Sequence, residues 1–194
     1  ATESVIDAAV AAKADLLITH HPMIFSPIRK VNTEDFIGRR IIRMIQADLS
    51  YYAMHTNYDI AHPGINDALA AALGLRNVAA LPCGMCVGEL NRAEVLSSFA
   101  ARTERALCDA VRVYGCTDRS VYRVAVMGGS GADYVPDALN AVADAFVTGE
   151  IGYHRALDAV DRGLCILEAG HAATEKPAIP ALAGALQNAA NAVQ

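Results

Sequence analysis

Ala14-Asp15-Leu16-Leu17-Ile18-Thr19-His20-His21 returns in the second half of the chain as Ala143-Asp144-Ala145-Phe146-Val147-Thr148-Gly149-Glu150. Both stretches read Ala-Asp, an apolar run, Thr, and then a residue type that can bind a metal or move a proton. A short apolar run bounded by polar residues suits a strand buried on both faces. Val5, Ile6, Ala9, Val10 and Ala14 recur at helical spacing before the first run, and 34–48 is amphipathic through Phe36, Ile37, Ile41, Met44 and Ile45 after it. Tyr51 to His55 then predicts a second strand, leading into Thr56-Asn57-Tyr58-Asp59. In the second half, helices over 136–144 and 153–162 flank the strand at 145–148. Leu164 to Glu168 predicts the next strand, which leads into Gly170-His171-Ala172-Ala173-Thr174-Glu175. The expected fold is α/β. Two related α/β lobes with mixed sheets, about 1–90 and about 91–194, face a shared cleft within one domain.

Outside the repeat, Ile65 to Leu73 predicts a helix closed by Gly74, Glu94 to Cys108 a helix, 110–114 and 122–127 strands, and 180–193 a last helix. Gly128-Gly129-Ser130-Gly131 reads as a tight turn. It lacks the Lys-Ser/Thr of a P-loop and does not fit G-x-G-x-x-G.

With 194 residues, 54% of them hydrophobic, the chain can bury one sizeable core. Aromatics make up 6% and Trp is absent, so helices are expected to pack through small side chains. A net charge of −5 without any Lys/Arg run gives no electrostatic footprint for nucleic acid or an anionic membrane, which leaves a small-molecule substrate as the partner. Apolar stretches break well before the ~18 residues needed to span a bilayer, and no charged leader precedes one, so a cytoplasmic protein is expected. Five cysteines, an odd number, argue against a disulfide framework. Cys83-Gly84-Met85-Cys86 is a CxxC without a second CxxC or a histidine at finger spacing, and reads as free thiols.

Most of the six histidines fall at or just after predicted strand ends, where open α/β sheets bind ligands. His20 and His21 are adjacent, so in extended geometry their side chains diverge and serve two metals rather than one. His171 and Glu175, spaced i, i+4, share one face of a helical turn, and Asp59 adds a second carboxylate. Three imidazoles and two carboxylates without a thiolate suit a pair of divalent ions, Zn, Mn, Fe, Co or Ni. Five ligands leave positions open for water, which such ions acidify to a pKa near ~7. Taken alone, His-His-Pro also fits a solvent-facing turn, and His171 to Glu175 also fits a plain helix start. Glu150, His154 and His55 are the candidates to handle a proton. Glu150 aligns with His21 in the repeat and is expected to be the proton acceptor, with His154 orienting it from the same helical face or donating to a leaving group. The alternative is that Glu150 only favours the start of the next helix.

The set Leu17-Ile18-Thr19-His20-His21-Pro22, His55-Thr56-Asn57-Tyr58-Asp59, Thr148-Gly149-Glu150-Ile151-Gly152-Tyr153-His154 and Gly170-His171-Ala172-Ala173-Thr174-Glu175 resembles the GTP cyclohydrolase 1 type 2-like family, the NGG-interacting-factor-like dinuclear metal proteins. The resemblance implies His20, His21, Asp59, His171 and Glu175 as ligands of two metal ions, with Glu175 bridging them. It also implies a homohexameric ring with the metals facing an internal cavity. The activity it implies is a metal-dependent hydrolase acting on a nucleotide, phosphoester or cyclic amide; the alternative is a non-catalytic metal-binding or regulatory scaffold. Family chains usually begin with a further helix and strand and continue past the last helix, so this sequence is expected to be a fragment. It carries Cys86 where many members have Arg, and it lacks the large insertion between the lobes.

Overall fold

The computed structural model describes residues 1–192; Val193, the end of the expected last helix, lies outside the described residues. The chain divides after Tyr58 into two compact units. In the first unit, α1 (Glu3–Ala11) and α2 (Phe36–Gln46) flank β1 (Leu16–Thr19), and β2 (Ser50–Ala53) follows. Thr2 and Asp35 cap the two helices by accepting the backbone N–H groups of Val5 and Ile37, the donors a helix start leaves over. β1 and β2 pair in parallel, from Leu16 opposite Ser50 to Thr19 opposite Ala53. Parallel pairing requires a crossover, and α2 supplies it. Ile6, Met44 and Leu49 form the buried cluster between helices and strands.

α3 (Thr56–Asp59) leads into the second unit. There α4 (Ile65–Ala72), β3 (Arg76–Ala80), β4 (Cys86–Val95), α5 (Leu96–Leu107), β5 (Arg112–Tyr114), β6 (Ser120–Ser130), α6 (Val135–Asn140), β7 (Ala145–Glu150), α7 (Tyr153–Asp161), β8 (Cys165–Glu168), α8 (His171–Glu175) and α9 (Ala178–Ala192) follow in order. Among the described residues the strands form one mixed sheet in the order β3-β4-β6-β7-β8-β5, parallel only across β6, β7 and β8. The pleat sends alternate side chains to opposite faces. Val124, Val126, Val147 and Leu167 join Leu69, Leu73 and Phe99 on one face, while Ala125, Met127, Phe146 and Ile166 join Ala138, Ala156 and Ala159 on the other. That double burial is why these strands read as continuous apolar runs.

The repeat in the sequence is a repeat of hydrogen bonds. The Asp15 carbonyl accepts the Ser50 N–H at 2.9 Å and the Asp144 carbonyl accepts the Cys165 N–H at 3.0 Å. At the other end of each strand, the Thr19 and Thr148 carbonyls accept Met54 and Ala169 N–H groups, both at 2.8 Å. The helix before each strand ends alike, with Lys13 and Val142 at φ 54° and 55°.

Two expectations change. β3 and β4 were not expected: β3 is a short edge strand with every residue exposed, and β4 carries a glycine and a register shift, so neither alternates. Residue 90, the expected boundary of the lobes, lies inside β4. The Gly128-Gly129-Ser130 turn is instead the last stretch of β6, bulged where its pairing with β7 shifts register between Met127 and Ser130, with Gly129 at φ 67°.

Asp144 ties β6 to β7, because its carboxylate accepts the backbone N–H groups of Tyr122 and Arg123 at 2.9 and 2.8 Å. Asp144→Ala should therefore lower the unfolding free energy by about 1.5–3 kcal/mol, and Asp144→Asn by less, in urea denaturation with an unchanged m-value. A wild-type midpoint in Asp144→Ala would contradict this anchoring role.

Candidate metal centre

In the first unit β1 ends at Thr19 and the chain bends through His20 and His21. The bend is held by hydroxyls. Thr19 Oγ1 and Tyr51 Oη lie 2.6 Å apart, each donates toward the His21 carbonyl at 2.9 Å, and Tyr51 Oη accepts the Met23 N–H. Because the chain leaves extended geometry here, the two rings do not diverge as the strand argument predicts. Their centroids are 4.9 Å apart, and the His55 ring lies 5.1 and 5.3 Å from them. One ring nitrogen from each of His20, His21 and His55 falls within 4.8 Å of the others, so the three could hold one ion. His20 Nδ1 sits 2.7 Å from the Met54 carbonyl. A carbonyl only accepts, so Nδ1 carries the proton and Nε2 is the nitrogen that could ligate an ion. His55, expected only as a proton handler, thus belongs to the imidazole cluster.

In the second unit α8 carries His171 and Glu175 one turn apart, with His171 Nε2 3.0 Å from Glu175 Oε1. The i, i+4 reading of this pair holds. His171 Nδ1 is 3.3 Å from Glu150 Oε2. Glu150 is the last residue of β7, and Gly152, at φ 76°, separates it from α7, where His154 lies exposed against the Tyr153 ring. Glu150 and His154 are therefore not on one helical face. Thr174 Oγ1 accepts the Gly129 N–H at 3.1 Å and donates to the His171 carbonyl at 2.8 Å, fastening α8 to the bulge of β6. A Cβ on Gly129 would stand 2.7 Å from Glu175 Oε1 and 3.1 Å from His171 Nε2. The Gly-Gly pair is thus a close-approach device beside the candidate ligands.

Asp59 closes α3, and its carbonyl accepts from Asn66 Nδ2 at 3.3 Å. Asn66 is 2% exposed. It also donates to the Gly84 carbonyl and accepts the Gly128 N–H, both at 2.8 Å, so one buried amide joins the Asp59 segment, the CxxC loop and the end of β6. Sequence reasoning missed Asn66; the available signal was a polar residue on the apolar face made by Ile65, Leu69 and Ala70. The CxxC itself is the β3–β4 connection, where Leu81 N–H donates to the Met85 carbonyl. Burial, then the charge and hydrogen bond of Asp67, push the Cys86 thiol up to about 12.

The family model of Duf34/NIF3 (NGG1p interacting factor 3) matches residues 1–194. The chain belongs to the Duf34/NIF3 family. It is 31% identical to the GTP cyclohydrolase 1 type 2 homolog of Clostridium acetobutylicum, over 97% of this chain and 74% of the relative. With the protein of the same name from Streptomyces coelicolor it shares 36% identity over 90% of this chain and 66% of the relative. The crystal structure of a Bacillus cereus protein related to NIF3 matches it with a TM-score of 0.93 at 25% identity, over all of this chain and 82% of that one. The mixed α/β fold is therefore that of Duf34/NIF3 structures. No helix among the described residues is long and apolar enough to cross a membrane.

In this Duf34/NIF3 protein a raised thiol pKa keeps Cys86 protonated and inert at pH 8. Burial raises Cys165 in the same direction. Iodoacetamide at pH 8 should modify the exposed Cys108 and Cys116 and leave Cys86 and Cys165 intact until denaturant is added, as read by peptide mass spectrometry. Rapid native labelling of Cys86 would mean that the CxxC loop opens.

Proposed function

We propose that this Duf34/NIF3 chain binds two divalent metal ions through His20, His21, Asp59, His171 and Glu175, with Glu175 bridging, and acts as a hydrolase on a nucleotide, phosphoester or cyclic amide. The observation that carries the reading is the donor set: imidazoles gathered within 4.8 Å in one unit, and an imidazole 3.0 Å from a carboxylate in the other. Nitrogen and oxygen donors without a thiolate fit Zn, Mn, Fe, Co or Ni, and Cys86, held as a thiol, does not compete. When bound, such ions polarise the scissile bond and acidify water at neutral pH.

The chain's own residues do the rest. The Met54 carbonyl turns the His20 ring so that Nε2 is its donor atom. A cavity of about 550 Å³ lined by Ala110, Val111, Arg112, Gly149, Glu168 and Gly170 adjoins the residues just before Glu150 and His171, and has the size of a small-molecule site. His55 stands in the imidazole cluster but outside the ligand set, which suits it to take up the proton from water, while His154 lies exposed on the first turn of α7. The reading takes the protein as a homohexamer by family resemblance.

Metal-free protein titrated at neutral pH should take up about two equivalents of a first-row divalent ion. His171→Ala or Glu175→Ala should lose at least one, and Cys83→Ser or Cys86→Ser none. Uptake of nothing by the wild type would end the reading, and metal loss in the cysteine variants would overturn the ligand set. In a phosphodiester and cyclic-amide substrate screen, His55→Ala should lower any turnover by ~10²-fold or more with both ions retained. Loss of an ion in His55→Ala would instead make His55 a ligand.

A further inference from the structure

Glu150 holds a position that neither a metal ligand nor a helix cap explains. Its Oε2 lies 3.3 Å from His171 Nδ1, while the other nitrogen of that ring lies 3.0 Å from Glu175. A neutral imidazole carries one N–H. For Nε2 to give its lone pair to a metal beside Glu175, the proton must stand on Nδ1, and an ionised carboxylate there can only accept it.

We propose that Glu150 is the positioning residue of the metal ligand His171, fixing its Nδ1–H tautomer and ring orientation, and is not the proton acceptor of the reaction. This rests on the two-metal reading above. Three further observations support it. The backbone at Glu150 is fastened on both sides: its carbonyl accepts the Gly131 N–H at 2.9 Å, and the next N–H, of Ile151, donates to Glu168 Oε1 at 3.2 Å. Glu168 is itself held by Arg112 and Tyr114 at 3.1 and 3.3 Å.

The approach of α8 is set at the preceding residue. A Cβ on Gly149 would come within 2.7 Å of His171 Cα and 2.8 Å of Thr174 Oγ1, so glycine there brings the His171 ring within reach of the following carboxylate. Finally, the first unit solves the same problem with a different acceptor. His20 Nδ1 is pinned by the Met54 carbonyl, and so in each unit one imidazole has its Nδ1 against a protein oxygen. At the repeat position where the first unit places His21, the second places the group that steadies a ligand.

A carboxylate on the far nitrogen strengthens the ring as a donor, and removing such a partner costs about 10–100-fold in metal affinity. The Glu150 side chain is 61% exposed, so truncating it leaves the core intact. The experiment titrates the metal-free full chain with Zn²⁺ against a chromophoric chelator, for wild type, Glu150→Ala and Glu150→Gln. Glu150→Ala should weaken one of two ions by 10–100-fold and leave the other unchanged. Glu150→Gln, whose amide oxygen still accepts, should fall between it and wild type. In the Zn²⁺-loaded protein the His171 Nδ1 proton, seen by ¹⁵N-edited NMR, should exchange faster with water in Glu150→Ala. The metal-free melting temperature should be unchanged in both variants. Wild-type affinity for both ions in Glu150→Ala would overturn the proposal, and if turnover then also fell, Glu150 would be the base. A wild type that binds no Zn²⁺ fails the two-metal reading itself, before any variant is compared.

Discussion

α8 lies against the ends of β6 and β7 with no room for a side chain between them. At Gly149 an added Cβ would meet the Gly129 carbonyl at 2.6 Å as well as the His171 backbone, and at Gly129 it would meet the candidate ligands themselves. Everything at the second unit's site depends on that approach. It lets the Thr174 hydroxyl take the Gly129 N–H, a backbone donor that the bulge leaves out of the sheet. It also places His171 and Glu175 above strand ends rather than beside a loop. A helix of five residues has little stability of its own, so its position is fixed by these tertiary contacts rather than by propensity.

The second constraint is the orientation of imidazoles. A histidine ring rotated by a half turn presents the wrong nitrogen, and only the partner of the other nitrogen decides between the two. In the first unit that partner is a main-chain carbonyl, fixed once β2 has paired with β1. In the second it is a side-chain carboxylate at the end of β7. The first arrangement is insensitive to substitution at the acceptor, because every residue has a carbonyl. The second is open to change by a single codon.

Much of this was legible in the residues. The apolar runs at 16–19 and 145–148, each followed by a helix and a second strand, gave the strands β1 and β7; 145–148 is buried as an unbroken hydrophobic stretch suggests, whereas β1 is only half-buried, with Leu16 exposed. The i, i+4 spacing of His171 and Glu175 likewise predicted a shared helical face, and the two side chains meet. Three things were hidden for physical reasons. β3 buries no side chain, so its strand character comes from pairing with β4 alone. Glycines at a strand end look like a turn unless the partner that comes close to them is known, and that partner, α8, is distant in sequence. His20 and His21 diverge only if the strand continues, and the bend that brings them together is made by the hydroxyls of Thr19 and Tyr51, which carry no local signature.

The apolar cluster of Ile6, Met44 and Leu49 is a thin core for a unit whose described sheet has two strands. Stability is not spread evenly along such a chain, and regions with little buried apolar surface open first. The imidazoles of His20, His21 and His55 sit in that region. An ion held there would bind the closed form and not the open one, so by mass action it would draw the population toward closure by RT ln(1 + [M]/Kd), about 2.7 kcal/mol at a hundredfold excess over Kd. Local order in the first unit would then follow the concentration of free metal in its surroundings.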